Sequence, residues 1–248
     1  MPLHAVSLSG GKDSTAMLLL MIERGMPIDR VLYADTGMDF PEMQNHIDKL
    51  DAYLYAQRGL HITKLRNPQG FEYYLLNVAL IKPAAIAKRI AEGQPVVGYG
   101  WPGGRRRWCT GELKVDLLDL AASDAGQDTL HYVGIAADEA HRCKDKQYPL
   151  VEWGITEAQA LQICYDRGYD WGGLYRMYNR VSCWCCPLQR IGELRTLRKH
   201  HPELWVQLLD MDAQVIATFG SDRPRGQFRR GWTVAQLDAR FAAEDKED

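Results

Sequence analysis

The sequence predicts an α/β fold built on a doubly wound, mostly parallel sheet. Two observations favour this class: short apolar strands alternate with amphipathic helices in the first part of the chain, and a glycine-rich turn joins the first strand to the first helix. Strands separated by helices pair in parallel, because each crossover returns the chain to the same end of the sheet. We therefore expect helices on both faces of the sheet.

The elements follow from apolar spacing and from turn residues. Strands are predicted at the short apolar runs 4–9, 30–35, 60–65 and 129–135. Helices are predicted where apolar residues recur at helical spacing, at 14–24, 41–57, 71–80, 84–92, from about 111, 156–167, 191–199, 202–211 and 233–243. A capping-box pattern at Thr156 marks one helix start. We place an α/β domain at 1–150 and a helical, cysteine-bearing cap with an arginine-rich C-terminal segment at 151–248.

Composition excludes several classes of protein. The 248 residues carry 30 Lys and Arg against 32 Asp and Glu, a formal net charge of −2, so no whole-molecule field attracts nucleic acid or anionic lipid. The longest apolar run, 16–22, is too short to cross a membrane, and the N-terminus lacks the features of a signal peptide. We expect a cytoplasmic protein without a membrane partner, whose six cysteines are reduced thiols, metal ligands or reactive groups.

The turn after the first strand has the composition of a phosphate-binding loop. Its sequence is Ser9-Gly10-Gly11-Lys12-Asp13-Ser14. Adjacent glycines let the backbone approach phosphate oxygens at a helix N-terminus, while the lysine adds positive charge and the serines donate hydrogen bonds. A Walker A loop is not expected, because Val6 stands where that motif needs glycine. The alternative is a plain glycine turn capped by Asp13 or Ser14.

Residues 98–103 fit the G-x-G-x-x-G pattern of dinucleotide-binding loops. No helix is predicted to begin there, so we interpret them as an ordinary loop.

Several other motifs, taken together, carry a family resemblance. The stretch after the second strand is Asp35-Thr36-Gly37-Met38-Asp39-Phe40-Pro41-Glu42. Further matching segments are 107–110 with Leu113-Lys114, 134–139 with Arg142, 148–150 with Trp153, 182–187 and 201–204. With the phosphate loop, they resemble the phosphoadenosine phosphosulfate (PAPS) reductase branch of the adenine nucleotide alpha-hydrolase (PP-loop ATP pyrophosphatase) superfamily. The resemblance spans about residues 4–205 and implies a doubly wound sheet of that superfamily's type, with an adenine nucleotide over the strand ends.

Two departures from PAPS reductases favour ATP as the nucleotide. Those enzymes carry a reactive cysteine in a C-terminal tail, whereas no cysteine follows Cys186 here, and their phosphate loop is degenerate, whereas Lys12 and Ser14 are kept. Because superfamily members split ATP between the α- and β-phosphates, the resemblance implies adenylation of a substrate with release of pyrophosphate. Mg²⁺ would bridge the phosphates, with Asp13 or Asp35 nearby.

The resemblance also implies which residues form the site. The implied nucleotide-binding residues are Ser9, Gly10, Gly11, Lys12, Asp13, Ser14, Asp35, Thr36, Gly37, Asp138 and Glu139. The implied catalytic residues are Lys12, Asp13, Arg107, Lys114 and Arg142. Alternatives stay open for some of them: Asp35 as a simple turn residue, and the segment 138–142 as a solvated loop with an ion pair.

The run Cys183-Trp184-Cys185-Cys186-Pro187 resembles iron–sulfur ligand runs. Zinc is less favoured, because the sequence offers neither a second C-x-x-C pair nor spaced histidines. Similarity to sulfur-transfer enzymes of the superfamily implies a [4Fe–4S] cluster on Cys109, Cys183 and Cys186 with one open iron, and Cys185 as a fourth ligand or a redox thiol. The alternative is a set of buried, inert thiols, which is the interpretation we favour for Cys164.

Two arginine-rich segments are candidate anion-binding patches. The first is Arg105-Arg106-Arg107, and the second holds Arg223, Arg225, Arg229 and Arg230 together with Phe228 and Trp232. Arginine forks match phosphate groups, so the first patch, with Lys114 one helical turn further on, could bind nucleotide phosphates or a nucleic-acid backbone. The second patch could stack on bases and neutralise a strand. The alternative is a pair of solvated, charged faces. The other partners expected are an adenine nucleotide, a sulfur-donor protein and a second copy of the chain.

Three hypotheses follow. The first is a PAPS-reductase-like ATP pyrophosphatase that adenylates a substrate, for sulfur transfer with an iron–sulfur cluster. The second is a sulfonucleotide reductase that uses a cysteine of the 183–186 loop. The third is a non-catalytic nucleotide- or nucleic-acid-binding subunit of a larger complex.

Overall fold

Four parallel strands form a sheet in the order β3-β2-β1-β4. The computed structural model describes residues 2–122 and 128–246. The strands are β1 Leu3–Leu8, β2 Arg30–Asp35, β3 Ile62–Arg66 and β4 Thr129–Val133. In the central register, Val6 of β1 lies beside Val31 of β2 and Tyr132 of β4. The predicted α/β class with a parallel sheet is confirmed.

Helices follow each of the first three strands. The α-helices are α1 Lys12–Glu23, α2 Pro41–Arg58, α3 Gly70–Leu76, α4 Pro83–Ala91, α5 Trp108–Thr110, α6 Asp116–Ala122, α7 Pro149–Glu152, α8 Glu157–Asp166, α9 Leu174–Met177, α10 Ile191–His200, α11 Pro202–Phe219 and α12 Val234–Glu244. Short 3-10 helices lie at Ala137–Arg142 and Trp171–Gly173, and a π-helix lies at Gly111–Val115. The capping box predicted at Thr156 is confirmed at the start of α8.

Contacts divide the chain into two compact units, each assembled from two stretches. The first unit is Met1–Asn67 with Lys114–Ser182, and the second is Pro68–Leu113 with Cys183–Asp248. This division differs from the continuous one predicted at residue 150. The reason lies in packing: α8 contacts α1 within the first unit, whereas α3 contacts α11 within the second.

The first unit contains the sheet and the helices that cover it. Helix α1 is buried along nearly its whole length, because it contacts β1 together with α2, α7 and α8. Helix α6 covers another part of the sheet, where Leu118 and Ala122 pack with Leu3 of β1 and Leu32 of β2. These helices cover the sheet, and the candidate nucleotide site lies at the carboxyl end of β1.

The second unit is helical, and a buried carboxylate ties three of its segments together. Asp212 of α11 accepts hydrogen bonds from Trp101 Nε1 at 2.7 Å and from the backbone N–H of Val234, the first residue of α12, at 2.6 Å. Trp101 also packs edge-on against Phe228, with ring centroids 4.9 Å apart. These contacts join the loop before α5 to the C-terminal helices.

Several predicted boundaries shift in the structure. Helix α3 ends at Leu76 instead of residue 80, and β4 ends at Val133 instead of residue 135. Helix α11 continues to Phe219, beyond the predicted end at 211, because Val215 and Phe219 extend its buried face. The helix expected from about residue 111 starts at Trp108 and passes through the π-helical turn. Residues 98–103 form a loop, as interpreted from the sequence.

Within the described ranges, no helix combines the length and the apolar character needed to cross a membrane.

Candidate nucleotide site and cysteine neighbourhood

The phosphate loop, Ser9–Ser14, lies between the carboxyl end of β1 and the N-terminus of α1. Gly10 has a φ of +76°, and a Cβ atom there would lie 2.5 Å from the sulfur of Met43. Backbone conformation and lack of space both require glycine at this position. The loop therefore turns sharply and brings backbone amides to a helix N-terminus, where anions bind.

The side chains of the two serines of the loop are hydrogen-bonded to each other. Ser14 Oγ donates to the carbonyl of Gly11 at 3.1 Å and accepts from the backbone N–H of Ser9 at 3.1 Å. Because the single hydroxyl proton of Ser14 points to Gly11, Ser9 is the donor in the 2.9 Å contact between the two Oγ atoms. The loop is thus preformed by its own side chains.

Lys12 lies between two carboxylates. Its ammonium group donates to Asp13 Oδ2 at 2.9 Å and to Glu157 Oε1 at the start of α8. Burial disfavours the charge of Lys12, but the hydrogen bonds and charges of Glu157 and Asp13 outweigh it and raise the pKa of this lysine. Burial also raises the pKa of Asp13, against the effect of Lys12. Lys12 is therefore a fully charged group held at the loop.

Two aromatic residues form hydrogen bonds with the backbone of the phosphate loop. Sequence analysis did not predict their part in the site. Trp171 Nε1 donates to the carbonyl of Gly10 at 2.7 Å, and Tyr175 Oη accepts from the backbone N–H of Lys12 at 2.9 Å. Trp171 has a φ of +51°, a left-handed conformation that is uncommon for a bulky residue. The adjacent pair Gly172-Gly173, also at positive φ, is the sequence signal that could have indicated this turn.

The segment after β4 packs directly against the phosphate loop. A Cβ atom on Gly134 would lie 2.6 Å from both the Cα and the backbone N of Ser14. These are backbone atoms of α1, so they have no rotamer by which to move aside. Gly134 therefore permits the close approach of the end of β4 to the N-terminus of α1.

Asp35 and Thr36 stabilise the turn at the end of β2. Asp35 Oδ1 accepts from the backbone N–H of Gly37 at 2.7 Å, and Thr36 Oγ1 accepts from that of Met38 at 3.2 Å. Asp35 also pairs with Arg66 at 3.7 Å. These contacts are those of a turn residue, and they lie at the same sheet edge as the phosphate loop. The assignment of Asp35, Thr36 and Gly37 to the nucleotide stays a prediction.

The residues after β4 make local contacts. Asp138 Oδ1 accepts from the backbone N–H of Glu157 at 3.0 Å, and Glu139 forms an ion pair with Arg142. The charge of Glu139 is one of the causes that raise the pKa of Asp13, which places it in the electrostatic environment of the phosphate loop. Glu157, which sequence analysis missed, connects these residues to Lys12.

His46 supports the loop from below and is uncharged. Its Nε2 lies 3.0 Å from Thr15 Oγ1 of α1, and its ring stacks on Trp171 with centroids 4.5 Å apart. Burial, reinforced by the charge of Lys49 and opposed by Asp170, lowers the pKa of His46 to about 3. His46 therefore takes up a proton less readily in the folded protein than in the unfolded chain, where its pKa has the ordinary value of 6.5.

This shift predicts a loss of stability on acidification. Between pH 6.5 and pH 3 the unfolded chain protonates His46 and the folded one does not, so stability is fully present above pH 6.5 and falls below it by about 1.4 kcal/mol for each pH unit. Urea unfolding at pH 7, 6 and 5 measures the slope. His46→Gln keeps a partner for Thr15 but does not titrate, so its slope is expected to be smaller by that amount. An equal dependence of stability on pH in the wild type and in His46→Gln would contradict the lowered pKa of His46.

Four cysteines share one neighbourhood in the second unit. Cys185 is buried, and its burial, followed by the proximity of Cys183, Cys186 and Cys109, raises the pKa of its thiol. Cys183, Cys186 and Cys109 are half-buried. The structure thus brings together the four cysteines singled out in the sequence, although Cys109 is remote from the others in the chain. Cys164 is fully buried in α8, in agreement with its interpretation as a core residue.

A glutamine holds the cysteine loop, residues 182–187, in a tight turn. The backbone N–H of Cys186 donates to the carbonyl of Cys183 at 3.2 Å. The side chain of Gln189 donates to the same carbonyl at 3.1 Å, and Arg229 donates to the carbonyl of Gln189. The turn is therefore fixed by side chains outside it.

Among residues 2–122 and 128–246, no group of three or more His, Cys, Asp or Glu side chains surrounds one point as the ligands of a single metal ion do. A four-iron cluster needs a different arrangement of ligands, because each thiolate binds a separate iron atom.

The predicted catalytic residues are divided between the two units. Arg107 belongs to the second unit with the cysteines, whereas Lys12, Asp13, Lys114 and Arg142 belong to the first.

Sequence comparison assigns the part of the chain that carries the phosphate loop. Residues 4–77 match the sequence model of the phosphoadenosine phosphosulfate reductase domain. This stretch is therefore similar to PAPS reductase domains. The domain belongs to the adenine nucleotide alpha-hydrolase superfamily, so the resemblance is confirmed over this range. The match covers β1, β2, β3 and the phosphate loop between β1 and α1. Proteins with a PAPS reductase domain are typically enzymes, and the match supports nucleotide binding at the level of the family.

The chain also has similarity to whole proteins, but the sequence identity to each of those named below is low. An uncharacterized protein of Methanocaldococcus jannaschii is 24% identical over 224 residues, which are 81% of this chain and 39% of the relative. An uncharacterized 37.8 kDa protein of Escherichia phage 186 is 23% identical over 87% of this chain and 76% of its own length. A second uncharacterized protein of M. jannaschii is 23% identical over 87% of this chain and 48% of its own length. The chain thus spans less than half of both archaeal relatives.

Proposed function

We propose that this protein binds ATP at the phosphate loop and cleaves it between the α- and β-phosphates to adenylate an acceptor, for sulfur transfer. The observation that carries the proposal is the charged Lys12 on a preformed loop at the junction of β1 and α1, with the β4 end packed against it. A helix N-terminus with a lysine and two hydroxyls is suited to a pyrophosphate group.

The reaction transfers the AMP group. An oxygen of the acceptor bonds to the α-phosphorus, the bond from that phosphorus to the bridging oxygen breaks, and pyrophosphate leaves with the electron pair. The ammonium group of Lys12 offsets the charge that develops on the leaving group. In the structure Lys12 is held by Asp13 and Glu157, so the triphosphate has to replace these carboxylates as its partner. Asp13 is then available to Mg²⁺, which neutralises phosphate charge.

The cysteines fit an iron–sulfur cluster as the sulfur-handling group. Cys109, Cys183 and Cys186 are half-buried and near enough to Cys185 for their charges to raise the pKa of its thiol, so three or four thiolates of one neighbourhood would serve as ligands. Such a cluster, held by these thiolates, would supply a site that binds sulfide. Gln189 and Arg229 fix the conformation of the cysteine loop, and this rigidity suits a ligand turn.

The products formed from ATP test the cleavage step. We expect α-³²P-labelled ATP to yield AMP or an AMP adduct together with pyrophosphate, at a slow rate with water and at a higher rate with the acceptor. Release of ADP and inorganic phosphate would contradict the proposal. Sulfite released from PAPS would instead support the sulfonucleotide reductase hypothesis.

Metal analysis tests the cluster. Protein purified without oxygen is expected to contain about four iron atoms and acid-labile sulfide per chain. Cys183→Ala and Cys109→Ala are expected to lose most of the iron. Cys143→Ala is the matched control, because Cys143 is half-buried too but belongs to the first unit. A wild-type protein with zinc alone or without metal would exclude the cluster, and equal iron loss in the Cys143 variant would exclude the assigned ligands.

A further inference from the structure

One cavity of the second unit is lined by arginines. It has a volume of about 890 Å³. Arg105 and Arg106 line it from the segment before α5, and Arg229 and Arg230 from the segment before α12. We call it the arginine pocket. Among its described lining residues there is no aspartate or glutamate, so four positive charges converge without a carboxylate in the wall.

The surroundings of the pocket add positive charge. An adjoining recess shares Arg106 and Pro224 with it and contains Lys88, Arg223 and Arg225. The acid that lines this recess, Glu92, pairs with Arg225 at 3.7 Å and with Lys88 at 3.9 Å. Asp222, next to the recess in the chain, pairs with Arg223 at 3.5 Å. Burial and the charge of Arg225 together lower the pKa of Arg106. The folded unit therefore holds like charges close together, and an anion would relieve their repulsion.

An aromatic side chain stands beside the pocket. Trp232 is 37% exposed, and its backbone exchanges two hydrogen bonds with Arg229, at 3.1 and 2.9 Å. Arg240 lies over its ring at 5.7 Å. An exposed indole next to a line of arginines is the combination that binds single strands, because bases stack on the ring while guanidinium groups neutralise the backbone.

We propose that the arginine pocket binds the phosphodiester backbone of a single-stranded nucleic acid, with Trp232 as a stacking surface for a base. The pocket is contiguous with the cysteine loop: Pro187 and Leu188, which follow Cys186 directly, line it. Arg229 also bonds to the carbonyl of Gln189, whose side chain holds Cys183. Nucleic acid would thus be the acceptor: sulfide would bond to the carbon that carries the adenylated oxygen, the bond from that carbon to the oxygen would break, and AMP would leave with the oxygen. This last step rests on the proposed function, whereas strand binding does not.

Salt dependence gives a quantitative test. If four arginines neutralise four phosphates, the affinity for a labelled oligonucleotide falls about 50-fold between 50 and 200 mM salt. The double variant Arg105→Ala with Arg230→Ala retains two contacts, so the fall is expected to be about 7-fold. At 0.1 M salt the variant binds about tenfold more weakly or worse. Both side chains are exposed, so folding is expected to be unaffected.

Matched variants separate the pocket from net charge and from stacking. Arg195→Ala with Lys199→Ala removes two exposed charges from α10 and is expected to bind like the wild type. Trp232→Ala is expected to weaken binding about 5- to 150-fold without changing the salt slope. Fluorescence anisotropy with DNA and RNA oligonucleotides of one sequence measures both quantities and shows which sugar is preferred.

Four results would overturn the proposal: unchanged binding by the pocket variant, an equal loss in the α10 variant, a pocket variant with the wild-type salt slope, or pocket-dependent binding to phosphatidylserine vesicles that exceeds binding to oligonucleotides. Its failure is distinguishable from that of the proposed function. Pyrophosphate release without added acceptor depends on Lys12 of the first unit, so the pocket variant is expected to retain it.

Discussion

Replacing Lys12 by methionine is expected to slow the release of pyrophosphate from ATP about 100- to 1,000-fold, the usual cost of removing one preorganised charge from a transition state. Methionine keeps the length of the side chain and loses its charge. The loss has two parts. The leaving pyrophosphate has no ammonium group to receive it, and Asp13 and Glu157, which Lys12 now neutralises, repel the triphosphate.

Lys64→Met is the matched control for this experiment. Lys64 also belongs to the first unit and pairs with Asp48, but it lies on β3 and 40% of its side chain is exposed. Its variant is expected to release pyrophosphate at the wild-type rate. Rates are compared at saturating ATP and after circular dichroism has shown that both variants are folded. A Lys12 variant with more than a tenth of the wild-type rate would remove the phosphate loop from the mechanism.

Gly134→Ala is expected to damage both stability and activity, although it adds a single methyl group. The new Cβ would lie 2.6 Å from the Cα and N of Ser14 and 2.9 Å from the carbonyl carbon of Asp13. Because these atoms are backbone, either β4 or the phosphate loop has to move. Overpacking of this kind costs about 1–3 kcal/mol. We expect the melting temperature to fall roughly 2–4 °C for each kcal/mol, and pyrophosphate release to fall further than stability alone explains.

A second glycine supplies the control. Gly192 lies in α10, and a Cβ atom there would meet nothing within 4 Å. Gly192→Ala is expected to leave activity unchanged and to raise stability by about 0.5–1 kcal/mol, because alanine restricts the unfolded chain and favours helix. Thermal unfolding and pyrophosphate release are measured on both variants. Wild-type stability and activity in Gly134→Ala would mean that the end of β4 and the N-terminus of α1 are not packed as described.

The sheet was predictable because its signals are local. The strand at 30–35 lies where its apolar run predicts it, and the start of α8 follows from the capping box at Thr156. The extension of α11 to Phe219 had a signal too, since Val215 and Phe219 continue the apolar spacing beyond residue 211. The π-helical turn at Gly111–Val115 could not be predicted from the sequence pattern, because the spacing of its apolar residues resembles that of an α-helix.

The candidate site was predictable in its motifs and not in its contacts. Lys12, Ser9 and Ser14 stand in a recognisable loop, and glycines around them mark close approaches. Glu157 and Tyr175, in contrast, reach the loop from far along the chain, at positions where a glutamate or a tyrosine is ordinary on a helix. The role of Glu157 depends on the packing of α8 against α1, a tertiary arrangement without a local pattern.

The strand order β3-β2-β1-β4 has a consequence for the newly made chain. As the ribosome proceeds, β1, β2 and β3 emerge in the order in which they pair, but the other edge of β1 receives its partner only when β4 is complete at Val133. At about 5–20 residues per second this interval lasts roughly 3–13 s. During it the nascent protein presents an open strand edge, the feature that promotes aggregation. Slow translation of residues 67–133 would therefore lower the yield of folded protein, independently of its final stability.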